Sequence, residues 1–284
     1  MSPSNNVTAP SGQRNLGLAL LGSEISLLFR RRRTWAMLAA LAAVPILIAV
    51  AVRLSSGESG GGPAFLDSIT QNGLFVSITA LTVAIPLFLP LTIGVVAGDT
   101  IAGEANLGTL RYLLVVPAGR LRLLLIKYTG AAVFCVAATA TVVITGVIIG
   151  AALFPVGPVT LLSGDSIGVA AYAWRCVLLT GYVSLSLLGF SAIGLFISTL
   201  TTVPVGAMAA TSVLAVVSQI VGSLPQLEWL HPWLFTNYWL GFSGLLTQPI
   251  ALDTFADNAL LQLGYILVFG ALAYGRFATK DILS

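Results

Sequence analysis

The sequence predicts an all-α polytopic membrane protein with six transmembrane helices. Three observations carry that prediction. Of 284 residues, 57% are hydrophobic and only 8% charged, whereas a soluble domain carries about 25% charge. So few charges cannot cover a water-exposed surface. Mean hydropathy is +0.98, which makes the bilayer the natural solvent, and there the backbone must pair internally as helices or a closed barrel. The apolar runs reach the roughly 20 residues a spanning helix needs and show no period-two alternation, which selects helices.

In chain order, residues 1–13 are rich in Ser, Asn, Pro and Gly and read as a disordered tail. Residues 14–33 read as an interfacial helix, because Leu18, Leu21, Ile25, Leu28 and Phe29 recur at helical spacing, with Leu16, Leu20 and Leu27 off the stripe. Arg30 to Arg33 stop that segment at the headgroups. The first span is 34–54. Arginines before an apolar run also suit a signal peptide, but this run is long, starts late, lacks a clear Ala-x-Ala site and precedes further spans.

The second span is 74–97 and carries Pro86 and Pro90, tolerated where neighbours satisfy the freed carbonyls. The third is 123–153, with Gly146 and Gly150 at a small-xxx-small spacing that permits close helix approach. The fourth, fifth and sixth are 171–197, 204–222 and 259–274. Ser223 to Asn258 contains Trp229, Trp233, Phe235, Tyr238, Trp239 and Phe242 together with Pro225, Pro232 and Pro249. It is too broken to span and too aromatic for a solvated loop, so it predicts short re-entrant or interfacial helices. Residues 14–284 thus form a single transmembrane domain.

Basic residues set the orientation. With both termini in the cytosol, 11 of the 13 Lys and Arg lie inside, including Arg14, Arg30 to Arg33, Arg111, Arg120, Arg122, Lys127, Arg276 and Lys280. Only Arg53 and Arg175 lie outside, near span ends where they can snorkel. Topology therefore explains the net charge of +3, and no nucleic-acid partner is expected.

Several chemistries are missing. The lysines, Lys127 and Lys280, are followed by Tyr and Asp, so there is no phosphate-binding Gly-x-x-x-x-Gly-Lys-Ser/Thr. The sole histidine, His231, sits in Leu230-His231-Pro232-Trp233 and reads as an interfacial residue. Cys135 and Cys176 fall in or near spans as small apolar packing residues, and no metal-ligand spacing occurs. The span cores lack the ionisable groups that proton- or ion-coupled pumps use. No catalytic residue or bound cofactor is expected, and any energy source must be separate.

The segment 98–122 is the exception to this apolar character. Asp99 can cap a short helix over Thr100 to Asn106, Gly108 breaks it, and Thr109 can cap a second turn from Leu110 to Val116, ended by Pro117 and Gly119. Leu107, Leu110, Leu113 and Leu114 offer an apolar face, and Glu104, Arg111 and Arg120 offer charge at its rim. Sequence physics leaves two readings open: a docking element, or a solvated loop that obeys positive-inside bias.

The pattern Glu104-x-x-x-Gly108-Thr109-Leu110-Arg111-x-Leu113-Leu114-x-x-Pro117-x-x-Arg120, after span two of a six-span chain, resembles the ABC-2 type permease family. Lys127 suits that pattern too, while the large external domain of some relatives is missing. These are membrane subunits of bacterial ATP-binding-cassette exporters. The resemblance implies that 98–122 is a coupling helix fitting a cleft on a nucleotide-binding subunit, expected in two copies. It also implies a second permease subunit, identical or homologous, and a bacterial cytoplasmic membrane, with ATP and Mg held by the partner. A central cavity would form largely from spans two and five. There Thr79, Thr82 and Phe88, and Thr211, Ser212 and Gln219, would suit drug, antibiotic, peptide or lipid-like cargo. Each hydroxyl can instead bond its own helix carbonyl. Alternatives are export of an ion or a cell-envelope glycan, or a non-transporting membrane anchor for a cytosolic partner. An intramembrane enzyme is disfavoured by the lack of catalytic groups in the spans.

Overall fold

The computed structural model describes residues 12–55, 69–109, 119–161 and 163–279. It is a bundle of helices α1 (Gly12–Arg30), α2 (Arg32–Ser55), α3 (Phe75–Ala84), α4 (Phe88–Asn106), α5 (Arg120–Leu153), α6 (Val169–Leu200), α7 (Pro204–Gly222) and α8 (Asp253–Thr279). A hairpin of β1 (Val159–Thr160) and β2 (Ser166–Ile167) joins α5 to α6, and 3-10 helices at Pro225–Trp233 and Gly241–Leu246 join α7 to α8. Six of the helices, α2 and α4 to α8, are long and apolar enough to cross a membrane. Apart from the small hairpin, the all-α reading holds.

α6 is the central post, packing on α4, α5, α7 and α8. Of its most apolar 18-residue stretch 72% is buried, against 22% in α7 and 11% in α8, which form the periphery. Around α6, Leu81, Leu89, Phe134, Leu179, Leu187 and Phe190 make the main core. α5 comes close to α3 where Gly146 and Gly150 face Ser77 and Gly73. A Cβ on Gly150 would stand 1.9 Å from the Gly73 carbonyl oxygen. The small-xxx-small pair therefore serves a helix contact within the chain.

Four sequence expectations need correction. Gly12 and Gln13 already belong to α1, so the tail ends earlier than 13; residues 1–11 lie outside the described residues. α1 ends at Arg30, short of 33. Its last carbonyls are taken by the chain that follows, with Thr34 Oγ1 donating to Leu28 O at 2.6 Å and Trp35 Nε1 to Phe29 O at 2.8 Å.

The second span is not one helix. It breaks at 85–87 into α3 and α4. Pro90 has no N–H, so the Pro86 carbonyl loses its partner four residues on, and the Gln219 side-chain amide of α7 donates to that carbonyl instead. α4 then runs on to Asn106, so the helix expected over Thr100 to Asn106 is there, but as the end of α4 and not as a separate element. Asp99 does not cap a new helix, because its carboxylate is held by Arg31 and Arg33, each at 3.1 Å.

The third correction is Arg175. It is 4% exposed rather than snorkelling. Its guanidinium donates to the carbonyls of Leu245 and Thr247 and, at 3.1 Å, to Gln248 Oε1. The aromatic connector is the fourth. Its short helices exist as 3-10 turns, since prolines interrupt the α ladder, but Phe235, Trp239 and Phe242 are core residues. Phe235 stacks on Phe190 at 5.6 Å, and Trp239 Nε1 donates to Ser186 O at 3.0 Å. Trp229 and Trp233 stay outside, at 72% and 70% exposed.

Candidate partner-docking site

One end of the bundle gathers α1, the last turns of α4, the first turns of α5 and the last turn of α8. Helix α4 projects there and stops by a defined device. Gly108 takes a positive φ of 69°. Its N–H donates to Ala105 O and the Thr109 N–H to Glu104 O, both at 3.1 Å. This is a Schellman stop, and it needs a residue without a Cβ penalty at φ above zero. Leu107, the last residue before the turn, is 70% exposed.

A charge network fastens the projection to its surroundings. Lys127 of α5 is buried, and its Nζ lies 2.9 Å from both carboxylate oxygens of Glu24 in α1 and 3.0 Å from Glu104 of α4. The second oxygen of Glu104 takes the Thr109 hydroxyl. Beside it lies the Asp99 pair with Arg31 and Arg33. Lys127, Arg31 and Arg33 thus face Glu24, Glu104 and Asp99, three cations against three carboxylates. The cleft between them has a volume of about 40 Å³. That suffices for a little water, not for a nucleotide. The arrangement is a neutral joint among four helices, α1, α2, α4 and α5, rather than a small-molecule pocket.

Two further contacts brace this end. Ser198 of α6 accepts the N–H groups of Ile101 at 3.0 Å and Ala102 at 2.9 Å, and donates to Gly98 O at 2.7 Å. Arg120, expected at the rim of the loop, instead reaches the carbonyls of Phe277 and Ala278 at the end of α8. A cation there complements both the free carbonyls and the helix dipole.

A family model described as "Protein of unknown function (DUF2705)" matches residues 34–283. The chain belongs to the DUF2705 family. No curated protein matches it. The DUF2705 match includes Asp99, Glu104, Lys127 and Ser198 but starts beyond Glu24.

Of the expected docking residues, the structure brings Glu104, Leu107, Gly108, Thr109 and Arg120 to one end of this DUF2705 chain. Leu110, Arg111, Leu113, Leu114 and Pro117 lie outside the described residues. The expected cavity residues are scattered. Thr211 is fully buried and its hydroxyl bonds Ala207 O, Thr82 bonds Ile78 O, and Ser212 bonds Met208 O. Gln219 serves the Pro86 carbonyl. Phe88 is exposed and Thr79 partly buried. Ser212 alone of the six lines a shallow apolar groove of about 210 Å³ beside Pro86, Pro90 and Val216.

Sequence reasoning missed Glu24, the pairing role of Asp99, and Ser198. Glu24 carried a signal, being the one acid before Glu58. Ser198 carried none, because a serine near a helix end is unremarkable without its neighbour.

Proposed function

We propose that this chain is the membrane permease subunit of an ATP-binding-cassette exporter, docking a cytosolic nucleotide-binding subunit through the end of α4. The observation that carries the reading is the anchored projection. An exposed Leu107 stands on a Schellman-stopped helix whose Glu104 is tied through Lys127 to α1. A push on a floppy loop would dissipate. A push on this helix end is delivered to α1, α5 and, through Ser198, α6.

In this reading both termini and the charge network face the cytosol of a bacterium, with α1 at the inner interface. The exposed Trp229 and Trp233 stand at the outer interface, where amphipathic rings are favoured. A second permease subunit completes the translocation path along α3, α4 and α7. ATP and Mg belong to the nucleotide-binding subunits. ATP favours their closed state, and the two docked helix ends convert that preference into a shift between inward- and outward-open paths. Cargo is drug-, antibiotic-, peptide- or lipid-like, in keeping with span walls of low polarity.

The test is co-purification in mild detergent from native membranes. An ATPase subunit should co-elute with the wild-type chain in stoichiometric amount. Leu107→Asp, at a site whose exposure spares the fold, should reduce its retention and its permease-stimulated ATP hydrolysis at least about tenfold. Absence of a co-eluting ATPase would defeat the proposal and leave the membrane-anchor reading, and unchanged retention and hydrolysis in Leu107→Asp would defeat docking through the end of α4.

A further inference from the structure

At the opposite end of the bundle, a groove of about 540 Å³ runs along α8 beneath the aromatic connector. Its floor is one helical stripe. Asp257, Leu260, Leu261, Gly264, Tyr265, Val268 and Phe269 follow at the three- and four-residue spacing that stacks side chains on one face. At 1.5 Å per residue the stripe is roughly 18 Å long. Pro232, Trp233 and Tyr238 form the facing wall. Tyr265 fixes the corner, its hydroxyl donating to Trp233 O at 2.7 Å while its ring stacks on Phe269 at 5.8 Å.

The groove carries a single charge, the Asp257 carboxylate at one end. Asp257 has no ion-pair partner among the described residues. Between Arg175 and Arg276 the sequence has no Lys or Arg at all, while Glu228, Asp253 and Asp257 are acidic. An anion would be repelled. A wholly apolar occupant would strip water from Asp257 and return nothing. An ammonium would meet the carboxylate at the head of the groove, with the aromatic side chains of Trp233 and Tyr238 in the facing wall.

We propose that this groove binds an amphipathic organic cation, with its ammonium at Asp257 and its apolar body along the α8 stripe towards Phe269. The site lies within one chain and needs no ATPase, so it stands or falls apart from the exporter reading. Two sources share this chemistry: a free lipophilic cation, and the ammonium headgroup of a membrane lipid.

The experiment uses the full chain in nanodiscs of phosphatidylglycerol and measures saturable binding of radiolabelled tetraphenylphosphonium. Radiolabelled tetraphenylborate, of matched shape and opposite charge, is measured in parallel samples that contain no cation. Wild type should bind the cation saturably and not the borate. Asp257→Asn should weaken binding at least about fivefold, and Asp257→Glu should retain it. Gly264→Leu should block it, because Gly264 lines the groove and a Cβ there meets nothing within 4 Å. Thermal unfolding by intrinsic fluorescence checks that each variant is folded. Adding phosphatidylethanolamine separates the sources: displacement of the probe assigns the lipid headgroup, and its persistence assigns a free cation. Equal binding by wild type, Asp257→Asn and Gly264→Leu, or equal saturable binding of the borate, overturns the proposal.

Discussion

Lys127 shows how much a single side chain can carry in a chain this poor in charge. It is 4% exposed, and it stands between two carboxylates from different helices, Glu24 of α1 and Glu104 of α4. Lys127→Met would leave Glu24 and Glu104 facing one another with no cation between them. Breaking a buried pair from one side costs about 3 kcal/mol, so a clear fall in thermal midpoint in detergent is expected. Adding Glu104→Gln to Lys127→Met should recover part of the loss. An unchanged midpoint in the single variant would mean the pairs contribute nothing. Gln219 makes a smaller contribution of the same kind. Gln219→Leu strands the Pro86 carbonyl, at a cost of about 1 kcal/mol for a hydrogen bond within a membrane bundle, measurable as a smaller fall in the same midpoint. Neither role was legible beforehand. The sequence displays Lys127 as one more positive-inside residue and Gln219 as mild polarity in an apolar wall.

Among the elements, two glycines separate two physical reasons for the same residue. Gly108 is surrounded by open space but holds a φ of 69°. Gly108→Ala should therefore cost about 1 kcal/mol, from backbone conformation alone, and Gly108→Asn less. Gly150 has ordinary helical backbone, but its Cβ position lies 1.9 Å from the Gly73 carbonyl oxygen. Gly150→Ala must push α3 from α5, at about 1–3 kcal/mol for overpacking. Thermal unfolding of Gly108→Asn and Gly150→Ser distinguishes the mechanisms. Asparagine should rescue the first site, and no side chain should rescue the second. The sequence marked both positions, because a helix stop and a small-xxx-small pair have local signatures. It could not say that α3 was the partner of Gly150.

For the whole molecule, the proposed orientation places the charge network in the cytosol and the β1–β2 turn outside. Alkaline phosphatase inserted at Gly164 should be active in a bacterial host, and a green fluorescent protein fused after Ser284 should fluoresce. The reverse pattern would invert the topology. Arg120 ties the start of α5 to the end of α8 across the bundle. Arg120→Gln should therefore raise amide hydrogen exchange over residues 276–279, with α2 unaffected. The sequence by itself determined what local chemistry determines: helical runs of spanning length, their apolar character, the stop at Gly108 and the start of α7 at Pro204. Composition, periodicity and backbone restriction act over a few residues and can be read one segment at a time. Only the tertiary structure decided where α3 breaks from α4, that Asp99 continues a helix instead of starting one, that Arg175 is buried, and that Glu24 meets Glu104 through Lys127. Each of these depends on a partner supplied from a remote part of the chain. A carbonyl freed by proline, or a charge withdrawn from water, is tolerated only once that partner is in place.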